Sequence, residues 1–127
     1  MAVENCLLAR TFTVSGNNLS ADSDQFIFCS AGATEGEVDA AVVSDTMIIG
    51  VSQDTAKTGE GVSVGMVGIS KVRLGGTVQH GNLLRSDATG RGVLWLGKGA
   101  HSAMALEDGA SGEVIEALIL IGRPSSA

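Results

Sequence analysis

The sequence predicts an all-β fold: one compact domain, β-barrel-like, β-tulip-like or jelly-roll-like, with at most one short helix. Three observations carry this. Apolar residues recur with a period of two along most of the chain. Glycine supplies 18 of 127 residues while proline occurs once, a balance that suits many tight turns rather than a disordered chain. A strand–turn–strand pattern is also written twice, at 50–68 and again at 103–122.

Taken in order, Arg10-Thr11-Phe12-Thr13-Val14 sets Phe12 and Val14 on one face and the threonines on the other. Residues 1–14 read as an N-terminal arm that becomes the first strand. Ser15-Gly16-Asn17-Asn18 is a turn. In Asp24–Ser30, Phe26 and Phe28 share one face and Ile27 and Cys29 the other. Glu35–Val43 fits two turns of helix capped by Thr34, but its valines equally suit a strand. Met47–Ser52 is a short apolar strand. Val62, Val64 and Met66 alternate with Ser63 and Gly65, and Ile69–Leu74 alternates Lys71 and Arg73 with Val72 and Leu74. Thr77–Gln79, Leu83–Ser86, Val93–Leu96, Ala103–Glu107 and Glu113–Ile121 complete the strands. They are separated by Gly75-Gly76, His80-Gly81-Asn82, Asp87–Gly90, Asp108-Gly109 and Ser111-Gly112. The domain spans 15–122, and 123–127 reads as a tail.

In the repeat, each copy has an apolar strand, then Asp (Asp54, Asp108), then Ala two residues on (Ala56, Ala110). Gly-Glu follows (Gly59-Glu60, Gly112-Glu113), then a strand ending in Gly68 or Gly122. The two loops differ in length by one residue on this alignment. A corner used twice implies internal pseudo-symmetry.

The charge is −6, from 8 basic and 14 acidic residues, which argues against a protein that holds nucleic-acid phosphates. Residues 1–60 hold nine acids and two bases; residues 61–127 hold five acids and six bases. The acidic half reads either as a solvated face or as the complement of a basic partner. A mean hydropathy of +0.28 suggests that a partner covers some apolar surface. The start, MAVENCLLARTF, lacks the basic-then-apolar pattern of a signal peptide, and the longest apolar run, Ala117–Ile121, is too short to span a bilayer. Cys6 and Cys29 read as free, buried thiols.

Catalytic and metal chemistry find little support. Gly61-Val62-Ser63-Val64-Gly65 matches the G-x-S-x-G pattern, and His101 follows it. That elbow needs a strand-to-helix turn, and Ser63 lies in an alternating strand. His80, His101, Cys6 and Cys29 have no metal-ligand spacing, so no metal and no cofactor is expected. Gly97-Lys98-Gly99 has no helix after it to hold a phosphate.

The order and spacing of three segments carry a resemblance. IIGVSQDTAKTGEGVSVGMVG comes first. The hairpin Gly81-Asn82-Leu83-Leu84-Arg85-Ser86-Asp87-Ala88-Thr89-Gly90-Arg91 follows. AMALEDGASGEVIEALILIG returns to the first pattern. Together they resemble the head decoration, or capsid cement, proteins of tailed bacteriophages, with Asn82 where that family has an acidic residue. The similarity covers about residues 47–122. It implies a β-barrel-like subunit that forms a homotrimer, less often a dimer, and that carries out no reaction. It implies a place on the outer surface of the virion, after synthesis in the bacterial cytoplasm. The partner is the major capsid protein, met between capsomers of the expanded shell, with neither nucleic acid nor membrane involved. From the arm's position and the charge asymmetry, Glu4, Arg10 and Phe12 are expected at the capsid contact. Trp95, Leu96 and Met47, on apolar strands, are expected at the subunit interface. The alternative is a virion-displayed module that binds a ligand or glycan, which four aromatic residues and no tyrosine disfavour.

Overall fold

A computed structural model of the chain describes residues 5–15, 19, 21, 24–32, 34–41, 48–97 and 101–122, with residues 5–7 described by their backbone only. Among these described residues, nine strands form one continuous sheet: β1 (Asn5–Val14), β2 (Phe28–Ala31), β3 (Glu37–Ala40), β4 (Ile48–Ser52), β5 (Gly61–Arg73), β6 (Leu83–Ser86), β7 (Gly92–Leu94), β8 (His101–Ala105) and β9 (Val114–Gly122). No α-helix occurs among the described residues. The segment that the sequence left open is settled as a turn, Thr34–Glu37, followed by β3, which puts β-branched Val38 on a pleated surface. Val42 and Val43 lie outside the described residues.

The first half closes on itself. β1 runs antiparallel to β5 along one edge, with Phe12 opposite Val62 and Arg10 opposite Val64. At its end β1 pairs in parallel with β3, Thr13 with Glu37 and Val14 with Val38. The ring β1–β3–β2–β4–β5 is therefore a closed five-stranded barrel, an arrangement that leaves few unpaired strand edges. Phe12, Val14, Ile27, Cys29, Val38, Val62 and Val64 fill it. The predicted alternation holds on β2 and the turn before it. Ile27 and Cys29 point into the barrel, while Phe26 and Phe28 point outward into a second core.

That second core lies between the barrel and β5–β9, and includes Val72, Leu74, Val78, Leu84, Ile115 and Ile119. The strands around it repeat the first half. β2 pairs with β3 and β4; β6 pairs with β7 and β8. β5 takes β4 and then β9, so the one strand ends the first unit and begins the second. Even the parallel seam recurs, as a bridge between Leu74 and Gly92. Ser15 N donates to Val38 O in the first unit, and Gly75 N donates to Gly92 O in the second, each at 2.9 Å. Gly68, with φ of 108°, lies where β5 leaves β4 for β9, a backbone conformation that favours glycine.

The repeat is real, but its register differs from the sequence alignment. Leu19 bridges Ala56, and Val78 bridges Gly109. Ala56 is therefore equivalent to Gly109, not to Ala110. Asp54 is equivalent to Glu107: Asp54 Oδ1 accepts from Ser63 N (3.1 Å), and Glu107 Oε1 accepts from Glu116 N (2.7 Å). The loops then have equal length. Glu107 has one methylene more than Asp54, and identical letters at 54 and 108 masked the correct pairing.

One turn occurs four times among the described residues. In Thr34–Glu37, Lys57–Glu60, Gln79–Asn82 and Ala110–Glu113, the fourth residue's N–H donates to the first carbonyl. Its side-chain oxygen accepts from the first N–H, at 3.2, 2.9, 2.8 and 2.6 Å. The third residue is glycine with φ between 77° and 90°, as such a turn requires. Asn82 does here what glutamate does in the other three turns.

The equivalence has a measurable consequence. Asp54→Ala and Glu107→Ala should each lower stability by about 0.5–1.5 kcal/mol through a lost acceptor. Urea denaturation of both should give similar shifts. A shift for Asp108→Ala matching that of Asp54→Ala, with Glu107→Ala silent, would restore the alignment by letters.

Candidate functional site

β1 places the predicted capsid-contact residues unequally. Arg10 is exposed, and its guanidinium lies 4.8 Å from the centroid of the Phe12 ring, a cation–π distance. Phe12 is 8% exposed and belongs to the barrel core. Its alternation with Thr11 and Thr13 aims it inward. Arg10 is thus the member of the pair that offers surface. Glu4 lies outside the described residues.

The second unit ends in an apolar surface. Leu96 is 70% exposed, Leu94 43%, Ile121 41% and Leu120 39%. Trp95 N donates to Leu83 O at 2.8 Å, carrying the β6–β7 pairing one residue further. The Trp95 ring meets His101 edge-on, with centroids 5.6 Å apart at 83°. His101 Nδ1 lies 2.7 Å from Leu120 O, and His101 is paired with Gly122. A Cβ on Gly122 would come within 2.8 Å of the imidazole, so this glycine lets the ring lie flat on β9. One histidine therefore ties Trp95 to the end of β9. Of the residues expected at a subunit interface, Leu96 is exposed and Trp95 half-buried beside it; Met47 lies outside the described residues. His101, Leu120 and Ile121 escaped the sequence reading, because their grouping depends on the β8–β9 register.

The hairpin that carried the resemblance holds the two units together. Asp87 Oδ1 accepts from Thr89 N, Thr89 Oγ1 and Arg91 N, at 2.8, 2.9 and 3.0 Å. Gly90, at φ 85°, turns its carbonyl to Phe28 N at 2.7 Å. A Cβ there would come within 3.1 Å of Ile27 Cδ1. The motif is thus a clamp from the second unit onto β2.

Ser63 lies within β5 opposite Thr11, while His101 lies opposite Gly122 on β9. Cys29 is fully buried, and desolvation pushes its thiol up to about 12. Among the described residues no three His, Cys, Asp or Glu side chains come together to hold a metal ion. Most described acids are bound to backbone amides: the turn residues Glu37, Glu60 and Glu113, then Asp24, Asp54, Asp87, Glu107 and Asp108. This use of the acids is one that charge counting did not foresee.

No protein-family model matches the sequence, and no curated protein matches it. A solved structure does: the head fiber gp8.5 N base of bacteriophage phi29. It superposes with a TM-score of 0.70, covering 94% of this chain and 98% of that chain at 15% identity. At that identity the likeness is one of fold.

Two measurements test these sites. Trp95 is the sole tryptophan. Its emission should change in His101→Gln, which removes the ring that meets it edge-on; an unchanged spectrum would separate the two rings. Cys29 is raised from 9.0 to about 12. Its contribution to stability is full below pH 9 and is lost as pH climbs toward about 12. The denaturation midpoint of Cys29→Ala should fall less steeply over that range than that of the wild type.

Proposed function

We propose that this chain is a structural protein of a tailed-phage head, one that decorates the outside of the expanded capsid. The observation that carries the reading is the fold likeness to a phage head fiber base, nearly end to end in both chains. It falls on the same kind of protein that the hairpin and repeat resemble. The role is mechanical and involves no reaction.

In this reading the subunit binds the major coat-protein lattice between capsomers and stabilises it. A ligand that binds only the assembled shell stabilises it by RT ln(1 + [L]/Kd), about 4 kcal/mol at a thousandfold excess over Kd. A homotrimer, with a dimer as the alternative, adds avidity when several subunits engage at once. The apolar end around Trp95 and Leu96 supports a subunit contact. Burying the exposed parts of Leu94, Leu96, Leu120 and Ile121 is worth roughly 3–6 kcal/mol per copy. Exposed Arg10 on β1, together with the arm before it, supports a capsid contact.

Expanded, undecorated heads are the assay. Wild-type protein should bind them and raise the temperature at which they rupture; equal rupture temperatures for bare and decorated heads would refute stabilisation. Deleting residues 2–9 should reduce occupancy, and full occupancy would remove the arm from the contact. Leu96→Glu should dissociate the oligomer in light scattering while the thermal midpoint of the fold stays nearly unchanged. Binding to a glycan array with no affinity for heads would favour the ligand-binding alternative.

A further inference from the structure

The sequence holds a single Asp-Gly pair, Asp108-Gly109. In such a pair the glycine nitrogen can attack the Asp side-chain carbonyl carbon, since glycine has no Cβ to hinder the approach. The new N–C bond closes a five-membered succinimide as the carboxyl loses water. Water then opens the ring at either carbonyl, restoring aspartate or leaving isoaspartate, in which the main chain runs through the side-chain carboxyl. The attack needs an uncharged carboxyl, a free nitrogen and freedom to bring them together.

The fold withholds all three. Asp108 Oδ1 accepts from His80 N at 2.8 Å and lies 2.9 Å from His80 Nδ1. These contacts hold the carboxyl below its usual range, so it stays ionised. Gly109 N donates to Val78 O at 3.0 Å, and Val78 N returns a bond to Gly109 O at 2.9 Å. Both partners of Asp108 and Gly109 therefore come from one short stretch, Val78–His80. The glycine is also fixed by packing: a Cβ at 109 would lie 2.6 Å from Ile115 Cγ2 and 2.7 Å from Leu74 Cδ1. The equivalent corner of the first unit, Thr55-Ala56, makes the same bridge to Leu19 without this chemistry.

We propose that Asp108-Gly109 is a latent isomerisation site that His80 holds closed. Isomerisation there adds a methylene to the main chain and displaces Gly109 from Val78. That displacement loosens the corner over Leu74, Val78 and Ile115, all members of the second core.

The test is peptide mapping for isoaspartate after prolonged incubation of the folded protein at neutral pH and physiological temperature. Isoaspartate is read by enzymatic methylation and by fragmentation mass spectrometry. Wild type should react at 108 many-fold more slowly than a free peptide spanning Leu106–Ser111. His80→Ala should react several-fold faster than wild type. Both this variant and His80→Gln keep the backbone donor of residue 80; His80→Gln, whose side-chain amide can still donate to Asp108, should fall between His80→Ala and wild type. Asp108→Glu should give no product at this site. Should His80→Ala fail to fold, the comparison of wild type in buffer and in denaturing urea gives the protection directly. Native wild type reacting as fast as the peptide would overturn the proposal, as would a folded His80→Ala reacting no faster than wild type.

Discussion

The structure depends on one strand doing two jobs. β5 is 13 residues long, and neither core forms without it. Its first half closes the barrel against β1 and β4; its second half opens the next ladder against β9. A short sheet of few strands is marginal in water, so two small units that share a wall are better placed than two that stand apart. The sharing demands a change of partner in mid-strand, and Gly68 stands at that change. Val62 and Val64 serve the barrel, and Val72 and Leu74 serve the second core, along one uninterrupted chain.

The turns explain why so small a domain carries so many acids. A strand-rich chain needs many reversals, and each reversal leaves amides that want an acceptor. Here carboxylates, and once a side-chain amide, meet that need at the same place in the same turn. Much of the net charge of −6 is thus committed to local geometry rather than displayed for a partner. Among the described residues, Leu94, Leu96, Leu120 and Ile121 of the second unit are left exposed.

Legibility in the sequence followed the range of the signal. Phe12 and Val14 against Thr11 and Thr13, and Phe28 against Cys29, were readable because alternation along a strand is a local property. The Gly-Glu corners at 59–60 and 112–113 were readable because glycine and glutamate are written there directly. At 34–37 the reading stayed open, because Glu35–Val43 fitted a helix capped by Thr34 while its valines suited a strand; at 79–82 a turn was read, but Asn82 in place of glutamate hid its likeness to the others. The register of the repeat was misread because Asp108 copies the letter of Asp54 while Glu107 copies its hydrogen bond. The contact between Trp95 and His101 was not legible, since nothing short of the β8–β9 pairing sets where His101 lies.

What the sequence determined by itself was the all-β class, the face each strand residue takes, and the places where the chain reverses. Those follow from side-chain alternation and from glycine's freedom at positive φ, both of which act over a few residues. Only the tertiary structure decided that the first five strands close into a barrel, that β5 belongs to both units, and that Leu74, just past β5, meets β7 at a single bridge. It also decided that Phe12 lies inside while Arg10 stays outside, and that His80 reaches Asp108. These are contacts between residues far apart in the chain. Their energies depend on which strands become neighbours, which no local pattern encodes.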